Sequence, residues 1–151
     1  MTKELWPDSL DHLLVKICRL HHTRAHGLFE AVGLHRGQPA VLRLLWAEEG
    51  RIHSELARQL HVQPATVTKM IQRMERAGFV VRRSDPDDER VSRVYLTETG
   101  RTIQADVQRI WQTLEEETFA NFSVEERVLL HRFLAQIHDN LTQAIGEKSP
   151  N

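Results

Sequence analysis

The chain has 151 residues, of which 40% are hydrophobic and 27% are charged, and its net charge at pH 7 is −1. This is the composition of one globular domain, and it excludes a disordered or fibrous protein. No apolar run approaches the ~20 residues that span a bilayer, and the N-terminus lacks the apolar core of a signal peptide, so we expect a cytoplasmic protein with no membrane partner.

The N-terminal third of the sequence predicts two helices and a short extended segment. Leucine and isoleucine recur at helical spacing over residues 8–32, with Asp8 as the predicted N-cap and Gly33 as the stop. A second helix is predicted over 38–49. Residues 51–53 are too few for an independent strand, but they can pair with a strand elsewhere in the chain.

A helix-turn-helix is predicted over residues 54–77. Ser54 is the expected cap of a short helix, 55–60, and Pro64 stands in the first turn of a longer helix that runs to Ala77. The inner face of that longer helix carries three apolar side chains, Val67, Ile71 and Met74. A short helix, a tight turn and a second helix have the proportions of this motif.

A β-hairpin and two long helices complete the chain. Residues 79–84 and 90–96 are rich in β-forming residues and are joined by aspartate and proline, which favour a turn. Thr97 is the expected cap of a helix that runs to about residue 121. The last helix begins at a capping box formed by Ser123 and Glu126.

The element order predicts a mainly α fold with a small β-hairpin wing, that is, a winged helix-turn-helix of order α-α-β-α-α-β-β-α-α. Charge is unevenly spread over it. Residues 51–93 carry nine Lys and Arg against six Asp and Glu, a net charge of +3, and the remainder of the chain carries −4. A positive patch on a nearly neutral chain indicates phosphate binding.

The second helix of a helix-turn-helix enters the major groove of DNA, where its N-terminal residues meet base edges. Residues of suitable size or hydrogen-bonding capacity stand there: Gln63, Pro64, Ala65, Thr66, Thr68 and Lys69. Glutamine pairs with adenine, threonine hydrogen-bonds or touches a thymine methyl, and lysine reaches guanine or a phosphate. The competing interpretation is an amphipathic helix with a solvated polar face.

The hairpin predicts a second contact with DNA. Residues two apart on a strand point the same way, so Asp88 can brace Arg90 through a charge-assisted hydrogen bond. A braced arginine on a protruding loop suits the narrow, electronegative minor groove. Arg82, Arg83 and Arg93 flank it and are expected to meet phosphates. The competing interpretation is an exposed ion pair on a turn.

Several segments resemble the MarR family of bacterial regulators: LARQL at 56–60, ATVTKM at 65–70, MERAGFV at 74–80, RSDPDDER at 83–90 and LTETG at 96–100. The resemblance implies a transcriptional regulator, usually a repressor, with no cofactor and no catalytic residue. It assigns base reading to the helix from Gln63 to Arg73, and it assigns the minor-groove arginine to Arg90.

The resemblance also implies a homodimer of one MarR-type domain, residues 1–151. Residues 34–100 would form the DNA-binding lobe, while 1–33 and 101–147 would supply the dimerisation helices. A two-fold dimer binds an inverted repeat in double-stranded DNA, with half-sites roughly 34–36 Å apart.

Members of this family typically respond to small aromatic or phenolic ligands, which implies an effector pocket between the dimer helices and the winged lobe. Four residues are candidates for its lining: His21, Arg24, Trp46 and Trp111. For the two tryptophans, packing in the core or at the dimer interface is the favoured interpretation, because aromatic side chains usually serve that purpose.

Two other sensing chemistries are alternatives. Cys18, the single cysteine, has basic neighbours that favour a thiolate, but it adjoins the apolar stripe of its helix, where a free cysteine is expected to be buried. His22 and His26 are four residues apart and are weak candidates for zinc ligands, since a site needs a third ligand and supporting hydrogen bonds. Polar histidines near a dimer interface are the simpler interpretation.

Two other classes of protein compete with a regulator. An enzyme is not favoured, because the sequence has no glycine-rich phosphate loop, nucleophile elbow or metalloprotease motif. A helical adaptor that binds protein through the winged lobe would differ in its salt dependence, since DNA binding weakens steeply as salt rises.

Overall fold

The computed structural model describes residues 9–146, and within them the chain forms seven α-helices and three short β-strands. In chain order these are α1 (Leu10–Glu30), α2 (Gln38–Ala47), β1 (Arg51–Ile52), α3 (His53–Leu60), α4 (Pro64–Arg76), β2 (Val80–Ser84), β3 (Ser92–Leu96), α5 (Glu98–Thr102), α6 (Gln104–Thr118) and α7 (Val124–Ile145). The expected mainly helical fold with a hairpin wing is confirmed. Across residues 9–146, none of the helices combines the length and apolarity that crossing a bilayer requires.

The chain divides into two compact units. The first runs to Leu114 and contains every element from α1 to most of α6. The second begins at Glu115 and contains the end of α6 together with α7.

The core of the first unit forms where the helix-turn-helix packs on α2 and the hairpin. Its fully buried side chains include Leu42, Leu45, Leu56, Val67, Ile71, Met74 and Val94. The predicted inner stripe of α4 is therefore confirmed. Because each such side chain contributes roughly 1.5–3 kcal/mol by leaving water, the stripe fixes which face of α4 turns outward.

The three strands form one antiparallel sheet in the order β1-β3-β2. Arg51 of β1 lies opposite Val94 of β3, and Arg83 of β2 lies opposite Arg93 of β3. The segment that was too short to stand alone thus pairs with the hairpin, as expected. This pairing joins the start of the helix-turn-helix to the wing.

Two helix starts differ from the prediction. Asp8, the expected cap of α1, lies outside the described residues, and the Ser9 hydroxyl accepts a 3.1 Å hydrogen bond from the His12 N–H. The expected cap at Ser54 is wrong, because β1 keeps Ile52 extended and α3 begins one residue before the serine. The Glu55 carboxylate instead accepts from the Ile52 N–H at 3.3 Å.

The helix predicted from Thr97 to about residue 121 is two helices. The cap is confirmed, because the Gly100 N–H donates to the Thr97 hydroxyl at 3.1 Å. However, α5 ends at Thr102, whose hydroxyl donates to the Glu98 carbonyl at 2.8 Å, a bond that bends helices. The capping box is confirmed at the start of α7, with bonds of 3.1 and 2.8 Å between Ser123 and Glu126.

Candidate nucleic-acid interface

The turn between α3 and α4 sets the direction of the candidate recognition helix. His61 ends α3 in the left-handed region, with φ of 52°, and the Val62 N–H donates to the Ala57 carbonyl at 3.1 Å. Gln63 is extended and Pro64 opens α4, where a proline needs no hydrogen-bond partner for its nitrogen. A compact turn of this kind leaves the N-terminal end of α4 on the surface.

The polar face of α4 is exposed along its length. The predicted base-reading residues on that surface are Gln63, Pro64, Ala65, Thr66, Lys69 and Arg73. They stand opposite the buried stripe, so they project outward from a helix whose other face is fixed in the core. Thr68 is half-buried and differs from the others.

Thr68 uses its hydroxyl inside the protein. The hydroxyl donates to the Pro64 carbonyl at 3.1 Å, and its oxygen lies 3.3 Å from Nδ1 of His53. Burial, followed by the charge of Arg82, lowers the pKa of His53.

The wing loop is organised around Asp85, a buried carboxylate. It accepts hydrogen bonds from the N–H groups of Asp87, at 2.8 Å, and Asp88, at 3.2 Å. It also pairs with the Arg93 guanidinium, and that contact together with the N–H groups holds the pKa of Asp85 below its usual range. Arg93 further donates to the Gly50 carbonyl at 2.7 Å. Arg93, which was expected to meet phosphates, therefore has its Nε and one of its Nη nitrogens bonded within the protein.

Arg90 stands at the tip of the wing with 91% of its side chain exposed. Its Nε donates to one Asp88 oxygen at 3.1 Å and its Nη2 donates to the other at 3.4 Å. The predicted brace is present, although both residues lie in the loop before β3 and not on a strand. The loop brings Asp88 and Arg90 together. It also lets the Arg90 backbone N–H donate to the Asp88 carboxylate at 3.1 Å.

The two arginines of β2 have different surroundings. Arg82 lies 2.6 Å from the Glu75 carboxylate and so connects the wing to α4. Arg83 lies on the ring of Tyr95, with its guanidinium carbon 5.3 Å from the ring centroid. Sequence reasoning missed both Glu75 and Tyr95, because each partner lies on a neighbouring element and not at a local spacing.

A cavity of about 170 Å³ lies beside α1 and α2. Its lining includes His22, His26, Phe29, Arg36 and Trp111. Of the predicted lining residues only Trp111 is among those that surround it. Trp46 and Trp111 border a separate hollow of about 330 Å³, whereas His21 and Arg24 line neither and stand on the exposed surface of α1.

The two tryptophans also pack, as the favoured interpretation expected. Trp46 is half-buried against the core, and Trp111 meets Phe29 edge to face with ring centroids 5.2 Å apart. Trp111 nevertheless keeps 45% of its surface exposed.

The residues considered for redox and zinc sensing lie on α1. Cys18 is exposed in the part of the chain that the structure describes, so its expected burial is wrong for a single copy. His26 lies 3.2 Å from the Glu30 carboxylate. Within residues 9–146, no three His, Cys, Asp or Glu side chains converge as metal ligands would.

Apolar side chains stand exposed on α1 and, separately, on α7. On α1 these are Leu10, Leu13, Val15, Ile17 and Leu20, between 48% and 86% exposed. On α7 they include Leu134, Ile137, Leu141 and Ile145, between 38% and 71% exposed. No α7 side chain is buried.

Known proteins resemble this chain in sequence and in fold. The sequence profile of the MarR family matches residues 34–92. The HTH-type transcriptional regulator YdgJ of Bacillus subtilis (strain 168) is 32% identical over 114 residues, which cover 75% of this chain and 70% of YdgJ. The HTH-type transcriptional regulator TtmR of Methylorubrum extorquens (strain PA1) is 30% identical over 147 residues, which cover 93% of this chain and 73% of TtmR.

Among solved structures, a mutant MarR from E. coli complexed with operator DNA matches with a TM-score of 0.76 and 22% identity, over 89% of this chain and 99% of that one. At this identity the match establishes the fold. The helix-turn-helix, the arginine-tipped wing and these relatives together show that the chain belongs to the MarR family and is a DNA-binding transcriptional regulator.

Proposed function

We propose that the protein is a homodimeric repressor that binds an inverted-repeat operator in double-stranded DNA. In each half-site, α4 would lie in the major groove and the Arg90 tip in the neighbouring minor groove. One combination of features carries the proposal. The polar face of α4 is exposed, and Arg90 at the wing tip is 91% exposed and yet held by a carboxylate.

The division of labour between the grooves follows from side-chain chemistry. The amide of Gln63 and the hydroxyl of Thr66 carry both donors and acceptors, which the major groove can distinguish base by base. Arg90 carries charge and donors only, and a narrow minor groove attracts it through negative potential. The MarR structure complexed with operator DNA supports DNA of this kind as the partner.

A second copy of the chain would cover the apolar faces of α1 and α7. Exposed apolar side chains are concentrated on each of these helices, and a large apolar patch on a soluble protein marks an interaction surface. Most soluble oligomers are two-fold symmetric, and such a dimer places two recognition helices about one turn of DNA apart. The inverted repeat in the proposed operator follows from this symmetry.

The cavity beside α1 and α2 is our candidate site for a small-molecule effector. Phe29 and Trp111 offer aromatic surface, while Arg36 offers a permanent positive charge. This combination suits a small aromatic anion. Binding of the ligand in this cavity would release the operator. The protein would act in the cytoplasm, where its DNA is.

Selection of bound duplexes from a random pool tests the proposal. The full-length protein should enrich one motif made of two inverted half-sites about one helical turn apart. A pool that gains no motif would overturn DNA reading, and a single unpaired half-site would overturn the dimer. Repeating the selection with benzoate or 4-hydroxybenzoate tests the effector, which should lower recovery of the motif.

A further inference from the structure

The four arginines of the hairpin differ in what holds them. Arg82, Arg90 and Arg93 each lie against a carboxylate, those of Glu75, Asp88 and Asp85 respectively. Within residues 9–146, Arg83 has no such acidic partner and lies instead on the face of Tyr95. Arg83 is also exposed.

The sheet register explains why Arg83 reaches this ring. Arg83 lies opposite Arg93, and Val81 lies opposite Tyr95, so all four side chains share one face of the sheet. Like charges directly opposite repel, and Arg93 is already engaged by Asp85. The diagonal neighbour Tyr95 is within reach of a long side chain, and its ring attracts a cation.

The Tyr95 ring itself has a fixed place. It is half-buried and lies against the backbone of Gly50, where an added Cβ would stand 3.3 Å from both Cε1 and the phenolic oxygen. Gly50 in turn donates from its N–H to the Val94 carbonyl at 2.9 Å and has φ of 76°. The position of the Tyr95 ring is therefore determined by the sheet and by Gly50.

A ring and a carboxylate order an arginine differently. A carboxylate engages guanidinium donors and cancels much of the charge, whereas a π-face restricts the side chain and leaves its positive charge and edge N–H groups available. Arg83 combines a guanidinium that lies against a ring with a charge that no carboxylate cancels, and this combination suits phosphate binding.

We infer that Tyr95 is a positioning residue for DNA binding, whose ring holds Arg83 ready for a backbone phosphate beside the wing. This inference rests on the proposed function, and it adds a residue that touches no DNA itself. Arg83 supplies affinity without sequence preference, because a phosphate contact is the same at every base pair.

The test compares Tyr95→Leu, Tyr95→Phe and Arg83→Ala on the selected operator, with affinity measured as salt is raised. Each phosphate contact contributes about 0.9 to the slope of log affinity against log salt. Arg83→Ala and Tyr95→Leu should both weaken binding several-fold and reduce that slope. The reduction should be the same for every operator sequence. Tyr95→Phe keeps the ring and should match the wild type, and Tyr95→Leu should add nothing to Arg83→Ala.

An Arg83→Ala protein with wild-type affinity and slope would overturn the inference, even if Tyr95→Leu fails to fold. A folded Tyr95→Leu protein with the wild-type slope would also overturn it. Failure of the proposed function gives a different result, because the wild-type protein would then bind no selected motif.

Discussion

The indole N–H of Trp46 donates a 2.9 Å hydrogen bond to the Gly100 carbonyl, across 54 residues of sequence. This bond fastens α2 to α5, the short helix that follows the wing. Gly100 also lies so near the wing that an added Cβ would stand 2.0 Å from the Phe79 carbonyl oxygen. The contact leaves no room for any side chain at this position.

Gly100→Ala should therefore lower the free energy of unfolding by at least about 2 kcal/mol, because the methyl group meets backbone and not a flexible side chain. The midpoint of urea unfolding measures this. The same substitution at Gly27, which has nothing within 4 Å and lies inside α1, should be neutral or stabilising by about 0.5–1 kcal/mol. Equal midpoints for the two variants would contradict the packing at Gly100.

His53 should make stability fall in mild acid. Its pKa in the folded protein lies below the ordinary value of 6.5, through burial and the charge of Arg82. The unfolded chain therefore binds this proton first as pH drops below 6.5, and stability that is present above that pH is lost as it falls towards the folded pKa. His53→Gln should lose less stability than wild type between pH 7.5 and 5.5, measured by urea unfolding. Identical pH profiles would exclude His53 as the source.

Arg90→Ala should weaken operator binding several-fold and reduce the preference for A·T-rich flanks, because an alanine tip cannot use the negative potential of a narrow minor groove. Electrophoretic mobility shifts with A·T- and G·C-rich flanks measure both effects. Arg109→Ala, on the exposed surface of α6 and paired with Asp106, is the matched control and should change neither. Unchanged flank preference in Arg90→Ala would refute the wing assignment.

Gln63→Ala and Thr66→Ala should change sequence preference at particular base pairs by ~1–3 kcal/mol, since each removes a hydrogen-bonding group presented by an exposed position of α4. A panel of single-base operator variants measures this. If either substitution weakens all sequences equally, that residue contacts a phosphate and not a base.

Leu141→Glu should convert the dimer to single copies without unfolding the chain, because this side chain is already 54% exposed in one copy. Sedimentation velocity measures the mass, and operator affinity should fall with it. Gln143→Glu adds a charge at another exposed position of α7 and should leave the dimer intact. A dimeric Leu141→Glu protein would show that α7 is not in the interface.

Local signals were enough to predict much of the fold. Val67, Ile71 and Met74 repeat at helical spacing, and the capping box of Ser123 and Glu126 spans three residues, so each is visible in a short window. The brace between Asp88 and Arg90 was visible for the same reason.

The features that were missed depend on partners from other elements. Helical spacing alone does not indicate the break between α5 and α6. It also does not indicate that Trp46 of α2 bonds to Gly100 of α5. The sequence indicated no partner for Arg93, because only the folded chain brings this residue to Asp85 and to the Gly50 carbonyl. Three of the four candidate lining residues, His21, Arg24 and Trp46, do not line the cavity beside α1 and α2, since membership of a helix does not say which residues face a cavity.

The 2.6 Å contact between Glu75 and Arg82 ties the recognition helix to the wing strand. The two elements also share one buried core, to which α4 contributes Met74 and β2 contributes Val80. Because close-packed cores transmit displacement, we expect both groove contacts to be gained and lost together. Dissociation from each half-site would then follow a single exponential, with no long-lived state that keeps only the wing or only the helix engaged.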